Sequence, residues 1–266
     1  MRIPFTQVDA FADRPFAGNP AAVMPLAAWP DDALLQQIAA ENNLSETAFL
    51  VPLTGDAEAT FELRWFTPTA EVALCGHATL ASGHVVLSSD GAIDRVAFRT
   101  RRSGVLAVAR QGSGYSLDLP AWAPAPRALD AIVAALGVDG VVETLWHEKG
   151  YALIVVDDAA TVRNARPDQR ALAAAEPCVA VLAARGQETD IVSRVFTPAY
   201  GIDEDPVTGS AHAVMVPYFA EKLGRDTMTA FQASARGGRL TCRLVDDRVV
   251  LGGQCVTVIE GSFLLP

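Results

Sequence analysis

An α+β fold of two similar lobes, each a curled, mostly antiparallel sheet around one central helix, is what this 266-residue chain predicts. Three observations carry that expectation. One motif occurs twice: Arg64, Phe66, Thr67 and Pro68 match Arg194, Phe196, Thr197 and Pro198 at an offset of 130 (194 − 64), and Gly76 and Ala78 match Gly209 and Ala211 at an offset of 133 (209 − 76). The second copy therefore carries a three-residue loop insertion. Each copy reads as an aromatic strand ending in Thr-Pro, a polar loop, and a Gly beside a short polar residue opening a long apolar helix. Around each helix lie many short segments with strand patterning and turn residues, enough for a sheet to wrap it.

In chain order, residues 2–11 read as a strand, followed by a turn written by Pro15, Gly18, Asn19 and Pro20 and a second strand over 21–26. Asp31 and Asp32 then open a helix whose apolar face is Leu34, Leu35 and Ile38 and which ends near Asn42 and Asn43. A strand over 45–51 follows. Phe61, Leu63 and Trp65 alternate with Glu62 and Arg64, so the next strand has one buried face. The first motif helix spans 76–87, and strands at 93–99, 104–110 and 115–119 complete the half. The run AWAPAP, residues 121–126, is the only Pro-rich linker. It places the domain boundary so that 1–121 form the N-terminal lobe and 122–266 the C-terminal lobe, the last strand being free to pack back on the first lobe. In the second half we expect a helix over 128–136 stopped by Gly137, strands at 141–146 and 151–156, a helix after Pro167, and strands at 178–183 and 191–196. The second motif helix, 210–223, is closed by Gly224 in the left-handed cap position. Strands at 227–232, 239–244, 248–251 and 255–263 end the chain.

A formal charge of −10 argues against a nucleic-acid surface, which wants clustered Lys and Arg, and the short cluster Arg99, Arg101 and Arg102 reads as a solvated strand end. No apolar run approaches the ~20 residues of a membrane span, so a soluble, cytoplasmic protein is expected. The four cysteines, Cys75, Cys178, Cys242 and Cys255, have no C-x-x-C spacing, so reduced thiols are expected, with neither a zinc site nor a disulfide framework. No Gly-rich phosphate loop follows a strand.

Helix N-termini present free N–H groups and favour anions, so the two motif helices could grip a small carboxylate if they face one cleft. Reactive side chains sit at both: Cys75 and His77 in the first copy, Asp205, Thr208 and Ser210 in the second. Duplication alone explains the apolar helices but not these residues. Glu46 opens an apolar strand; turned inward it would be a partly desolvated proton shuttle, and position alone leaves open whether it faces water instead. His77, at a helix start whose dipole disfavours imidazolium, could exchange a proton as a neutral ring or simply bond backbone groups. Asp205, fixed in direction by Pro206, could equally serve to compensate the helix dipole. A Ser-His-Asp hydrolase of Ser210, His212 and Asp205 lacks a G-x-S-x-G elbow, and His212 falls on another helix face from Ser210. A metal site of Cys75, His77 and His84 lacks a fourth ligand and places its histidines two turns apart.

Six segments now stand together: Val8 to Phe11 (VDAF), Gly18 to Val23 (GNPAAV), Ser45 to Phe49 (SETAF), Arg64 to Pro68 (RWFTP), Cys75 to Thr79 (CGHAT) and Asp205 to Ala211 (DPVTGSA). With them the chain resembles, over essentially its whole length, the PhzF family, named for phenazine biosynthesis. The resemblance implies a diaminopimelate epimerase-like fold of two lobes with the site in the cleft between them, a homodimer, and no cofactor or metal. It also implies that Glu46 is the proton-transferring carboxylate with His77, Asp205 and Ser210 as its partners. Asn19 is implied as a substrate contact, alongside Gly76 and Gly209 at the helix starts. The family's founding activity moves a proton within a cyclic dihydro-hydroxy-anthranilate. More distant epimerases use two cysteines, one on each side of the α-carbon; here Cys75 falls at the first thiol position but Thr208 at the second. A Thr hydroxyl is too weak an acid–base group to replace a thiolate, which favours a one-carboxylate proton shift within a small anionic metabolite. A two-base amino-acid epimerase or racemase, and a metabolite-binding protein without turnover, are the alternatives.

Overall fold

The computed structural model describes residues 2–265. The chain divides into two compact units, one of Met1–Asp118 with Gly252–Pro266 and the other of Leu119–Leu251. The first holds β1 (Arg2–Ala10), β2 (Asn19–Pro25), α1 (Asp32–Asn42), β3 (Glu46–Pro52), β4 (Phe61–Phe66), β5 (Glu71–Val72), α2 (Gly76–Ser89), β6 (Arg95–Thr100), β7 (Val105–Gln111) and β8 (Gly114–Pro120). The second holds β9 (Ala125–Pro126), α3 (Asp130–Leu136), β10 (Val141–His147), β11 (Tyr151–Val156), α4 (Ala159–Asn164), α5 (Gln169–Ala174), β12 (Val179–Arg185) and β13 (Ile191–Thr197). It continues with β14 (Ile202–Asp205), α6 (Gly209–Leu223), β15 (Thr227–Gln232), β16 (Gly238–Val245) and β17 (Arg248–Gly253), after which β18 (Cys255–Leu264) pairs antiparallel with β1.

The duplication runs well past the motif. In the first unit the pairings along the chain are β1–β2 antiparallel, β2–β3 parallel, β3–β4 antiparallel, β4–β6 parallel and β6–β7 antiparallel. In the second, β10–β11, β11–β12, β12–β13, β13–β15 and β15–β16 repeat that succession in the same order. Each parallel step needs a crossover, supplied by α1 and α2 in one unit and by α4 with α5 and α6 in the other. The motif helix is the second crossover in both. Its first eight residues are entirely buried in each copy, from Gly76 to Gly83 and from Gly209 to Val216, as expected of helices apolar all round. The strands wrap these helices: α2 packs against β1, β2, β3, β6, β7 and β18, and α6 against β11 and β16.

Two details depart from the sequence expectation. The polar loop after each Thr-Pro contains a short strand, β5 or β14, hydrogen-bonded to the aromatic strand before it. Each carries a glutamate that clamps the motif arginine. Arg64 Nε and Nη2 donate to Glu71 at 2.7 and 2.8 Å, and Arg194 Nε and Nη2 donate to Glu204 at the same 2.7 and 2.8 Å. Each guanidinium also lies over the Phe two residues on, 5.0 Å from Phe66 and 4.9 Å from Phe196. A second helix, α4, precedes the one expected after Pro167; at six residues it is too short for a periodic signal. The cluster Arg99 and Arg101 is an ion-paired strand end, bound to Asp56, Glu58 and Glu62.

Inside α6, Pro217 has no N–H to offer the Ala213 carbonyl one turn back. The chain following β8 fills the gap, with Trp122 N–H donating to Ala213 O at 2.9 Å. Trp122 is held there by stacking on His147 and packing on Tyr151.

Candidate functional site

In the N-terminal unit three elements begin side by side. Asn19 is the first residue of β2 and Glu46 the first of β3; the two strands are parallel, with Ala21 opposite Glu46. His77 lies in the opening turn of α2, behind Cys75 at the N-cap position. The Glu46 side chain turns inward, 14% exposed, and stands beside His77, 4% exposed, with Oε2 3.0 Å from Nε2. The carboxylate lies off the line along which a ring N–H would point, so the contact is an ion pair rather than a linear hydrogen bond, and neither atom has another hydrogen-bond partner among the described residues. On the other side of the ring, Nδ1 is 3.1 Å from the buried Asn19 amide nitrogen and 3.5 Å from the Cys75 sulfur.

Burial alone would drive His77 to the neutral form, but the Cys75 sulfur and the Glu46 carboxylate outweigh it and raise its proton affinity well above the ordinary value of 6.5. At 3.0 Å the Glu46 carboxylate acts on the ring more strongly than the partial charge of the helix end does. The Cys75 thiol is pushed up to about 11, by burial first and by the Glu46 charge second. It is a neutral S–H near neutral pH, so the anion that holds the His77 proton there is Glu46.

Glu46, Cys75 and His77 also form a sulfur, nitrogen and oxygen donor set with one ligand atom from each within 4.8 Å of the others. Glu46 meets Nε2 and Cys75 meets Nδ1, opposite edges of one ring, so a single ion could not use both contacts as they stand. His84 lies elsewhere, bonded to Tyr115 and Thr257.

In the C-terminal unit Asp205 ends β14, Thr208 is the N-cap residue of α6, and Ser210 occupies the place of His77 at the motif offset of 133 (210 − 77). The fully buried Gln232 of β15 organises them. Its Oε1 accepts the Thr208 N–H at 2.8 Å, which fixes the amide orientation; its Nε2 then donates to the Asp205 carbonyl at 2.7 Å and to Thr208 Oγ1 at 3.2 Å. The Thr208 hydroxyl is left to donate to the Asp205 carboxylate, and does so. His212 does not meet Ser210. Its Nδ1 donates to the Thr208 carbonyl at 2.8 Å, leaving Nε2 buried without a partner among the described residues, and burial pulls its pKa down to about 4. Thr79, at the matching position of the first copy, bonds the Cys75 carbonyl at 2.6 Å in the same way.

Gln232 had no sequence signal. Glu71 and Glu204 had one, since they obey the offset of 133 (204 − 71) that also relates the helix glycines.

Residues 8–261 match the family model described as phenazine biosynthesis-like protein. An uncharacterized isomerase of Pseudomonas aeruginosa is 48% identical over 268 residues, covering 100% of both chains. The crystal structure of a phenazine biosynthesis protein of the PhzF family from Enterococcus faecalis covers 100% of both chains at 42% identity with a TM-score of 0.90. A hydroxyproline epimerase from Agrobacterium vitis shares the fold, with a TM-score of 0.64 at 12% identity over 98% of this chain and 92% of that one.

Proposed function

From the premise that this chain belongs to the phenazine biosynthesis-like (PhzF) family, we propose that it is a cofactor-independent isomerase that moves a proton within a small carboxylate-bearing metabolite, with Glu46 as the acid–base group. One observation carries the reading: a largely buried carboxylate held 3.0 Å from a buried imidazole at the start of a central helix. Glu46 removes a proton from an acidic carbon of the substrate, exchanges it with solvent and delivers a proton to another carbon. His77 keeps a proton on its Nε2 side and so balances the charge of Glu46 as the carboxyl gains and loses hydrogen. Asn19 and Cys75 hold the far edge of the ring. Gly76 and Gly209, opening the motif helices, are assigned to substrate binding through helix N-termini that favour carboxylate. Asp205 and Ser210 are assigned as further partners of the substrate. A homodimer in solution belongs to the same proposal.

A neutral thiol at Cys75 and a hydroxyl at Thr208 speak against a two-thiol racemase. Turnover of candidate carboxylates in deuterium oxide tests the point. The proposal expects one deuterium at the carbon that ends a shifted double bond, whereas label at a centre of inverted configuration would replace it with an epimerase. Glu46→Gln is expected to lower the rate about 10²–10⁴-fold, the usual worth of a positioned general base.

A further inference from the structure

The two motif copies share a device that neither copy reveals alone. The residue before each helix, Cys75 or Thr208, has extended backbone at the N-cap position, where a Thr side chain ordinarily bonds a helix N–H. Neither side chain does so. Each is turned instead to an ionisable side chain of its own copy: Cys75 sulfur to His77 Nδ1 at 3.5 Å, and Thr208 hydroxyl to the Asp205 carboxylate. The two residues correspond at the motif offset of 133 (208 − 75). In the second copy the donor is determined by elimination, because Gln232 spends its oxygen on the Thr208 N–H and presents only N–H groups to Thr208 Oγ1 and the Asp205 carbonyl.

We propose that Cys75 and Thr208 are positioning residues, each using the N-cap place to aim a hydrogen-bond donor at the proton-handling side chain of its copy, His77 and Asp205 respectively. When His77 carries a single proton, the Cys75 S–H, together with the Asn19 amide N–H, faces Nδ1 and leaves that proton on Nε2, the edge beside Glu46. Thr208 holds the Asp205 carboxylate in its ionised form and in one orientation, with Gln232 fixing the hydroxyl behind it. The pair is therefore the counterpart of two thiols in place but not in chemistry, since neither exchanges a proton with substrate. The inference rests on the proposed roles of His77 and Asp205.

Its test needs no substrate. Full-length Thr208→Val, Thr208→Ser, Cys75→Ala and Cys75→Ser are labelled with carboxyl-carbon-13 aspartate and nitrogen-15 histidine, Asp205→Asn and His77→Gln serving to assign the signals. Valine keeps the shape of threonine without the hydroxyl. In Thr208→Val the Asp205 carboxyl should titrate at least about one pH unit higher than in the parent, having lost a donor to its charged form, and in Thr208→Ser it should return to the parent value. The His77 Nδ1 signal should move in Cys75→Ala and recover in Cys75→Ser, with thermal midpoints unchanged between the members of each pair. Titrations of Thr208→Val and Cys75→Ala that superimpose on the parent would overturn the proposal, as would Ser and apolar variants behaving alike. If isotope exchange proved independent of Glu46 while these shifts still appeared, the functional reading would fall and the positioning would stand.

Discussion

His77 and His212, at opposite ends of the pH scale, give single residues a measurable signature. His77 has a folded-state proton affinity above the 6.5 of an unfolded chain, so its contribution to stability is fully present below pH 6.5 and is lost as pH rises through the folded value. His212 has the reverse sign. Held neutral with a folded value of about 4 against 6.5 unfolded, it stabilises fully above pH 6.5 and that contribution drains away as pH falls toward 4, amounting to about 3 kcal/mol for a shift of this size. Denaturant titrations should therefore show His212→Gln flatter than the parent between pH 6.5 and 4, and His77→Gln flatter on the alkaline side; parallel curves would contradict both assignments. Residue identity was legible at His77 and Asp205 because the motif marks them, and at Glu46 only because the segment Ser45 to Phe49 carries the family resemblance. Orientation was not: whether Glu46 faces core or water depends on the register of β3 against β2 and β4, which a single strand cannot declare. The raised proton affinity of His77 was equally hidden, because the carboxylate beside it lies 31 positions away (77 − 46).

At the scale of elements, the motif helices and the clamped arginines fix where the site begins. Gly83 lies in α2 where an added Cβ would sit 2.3 Å from Val108 Cγ1 and 2.5 Å from Val108 Cβ. Alanine there would gain about 1 kcal/mol of helix propensity and lose more to overpacking, which costs about 1–3 kcal/mol, so Gly83→Ala should lower the urea midpoint. A raised midpoint would mean the helix and β7 separate more readily than their packing implies. Arg64 is 1% exposed and bonded to Glu71 and Asp32. Removing it leaves the mostly buried Glu71 without its partner, and Arg64→Met is expected to cost about 3–5 kcal/mol; lysine should not rescue it, lacking the fork that grips both oxygens. A loss below about 1 kcal/mol would show the clamp to be ornamental. The long helices were legible from their apolar runs, and Glu71 and Glu204 from the offset of 133 once the loop insertion is placed. The strands that carry them, two and four residues long, are shorter than any period-2 pattern can register.

For the molecule as a whole, the repeated motif stands for a repeated fold. The five successive strand pairings agree in the two units, although outside the motif the halves show little common sequence to the eye. Backbone pairing tolerates any residues that keep the alternation, whereas the Arg-Glu clamp and the helix start demand particular ones. Each unit also has its own core: Ile3, Met24, Leu35, Ile38 and Phe49 in the first, and Leu136, Ile154, Val162, Leu182 and Phe196 in the second. The central claim, that Glu46 carries hydrogen in an isomerisation, is tested most directly by mass spectrometry. Wild-type protein and Glu46→Gln are incubated in deuterium oxide with a panel of small unsaturated and amino carboxylates. The account predicts that at least one compound gains a single mass unit with the wild type and none with the variant; label gained at equal rates with both proteins would contradict it.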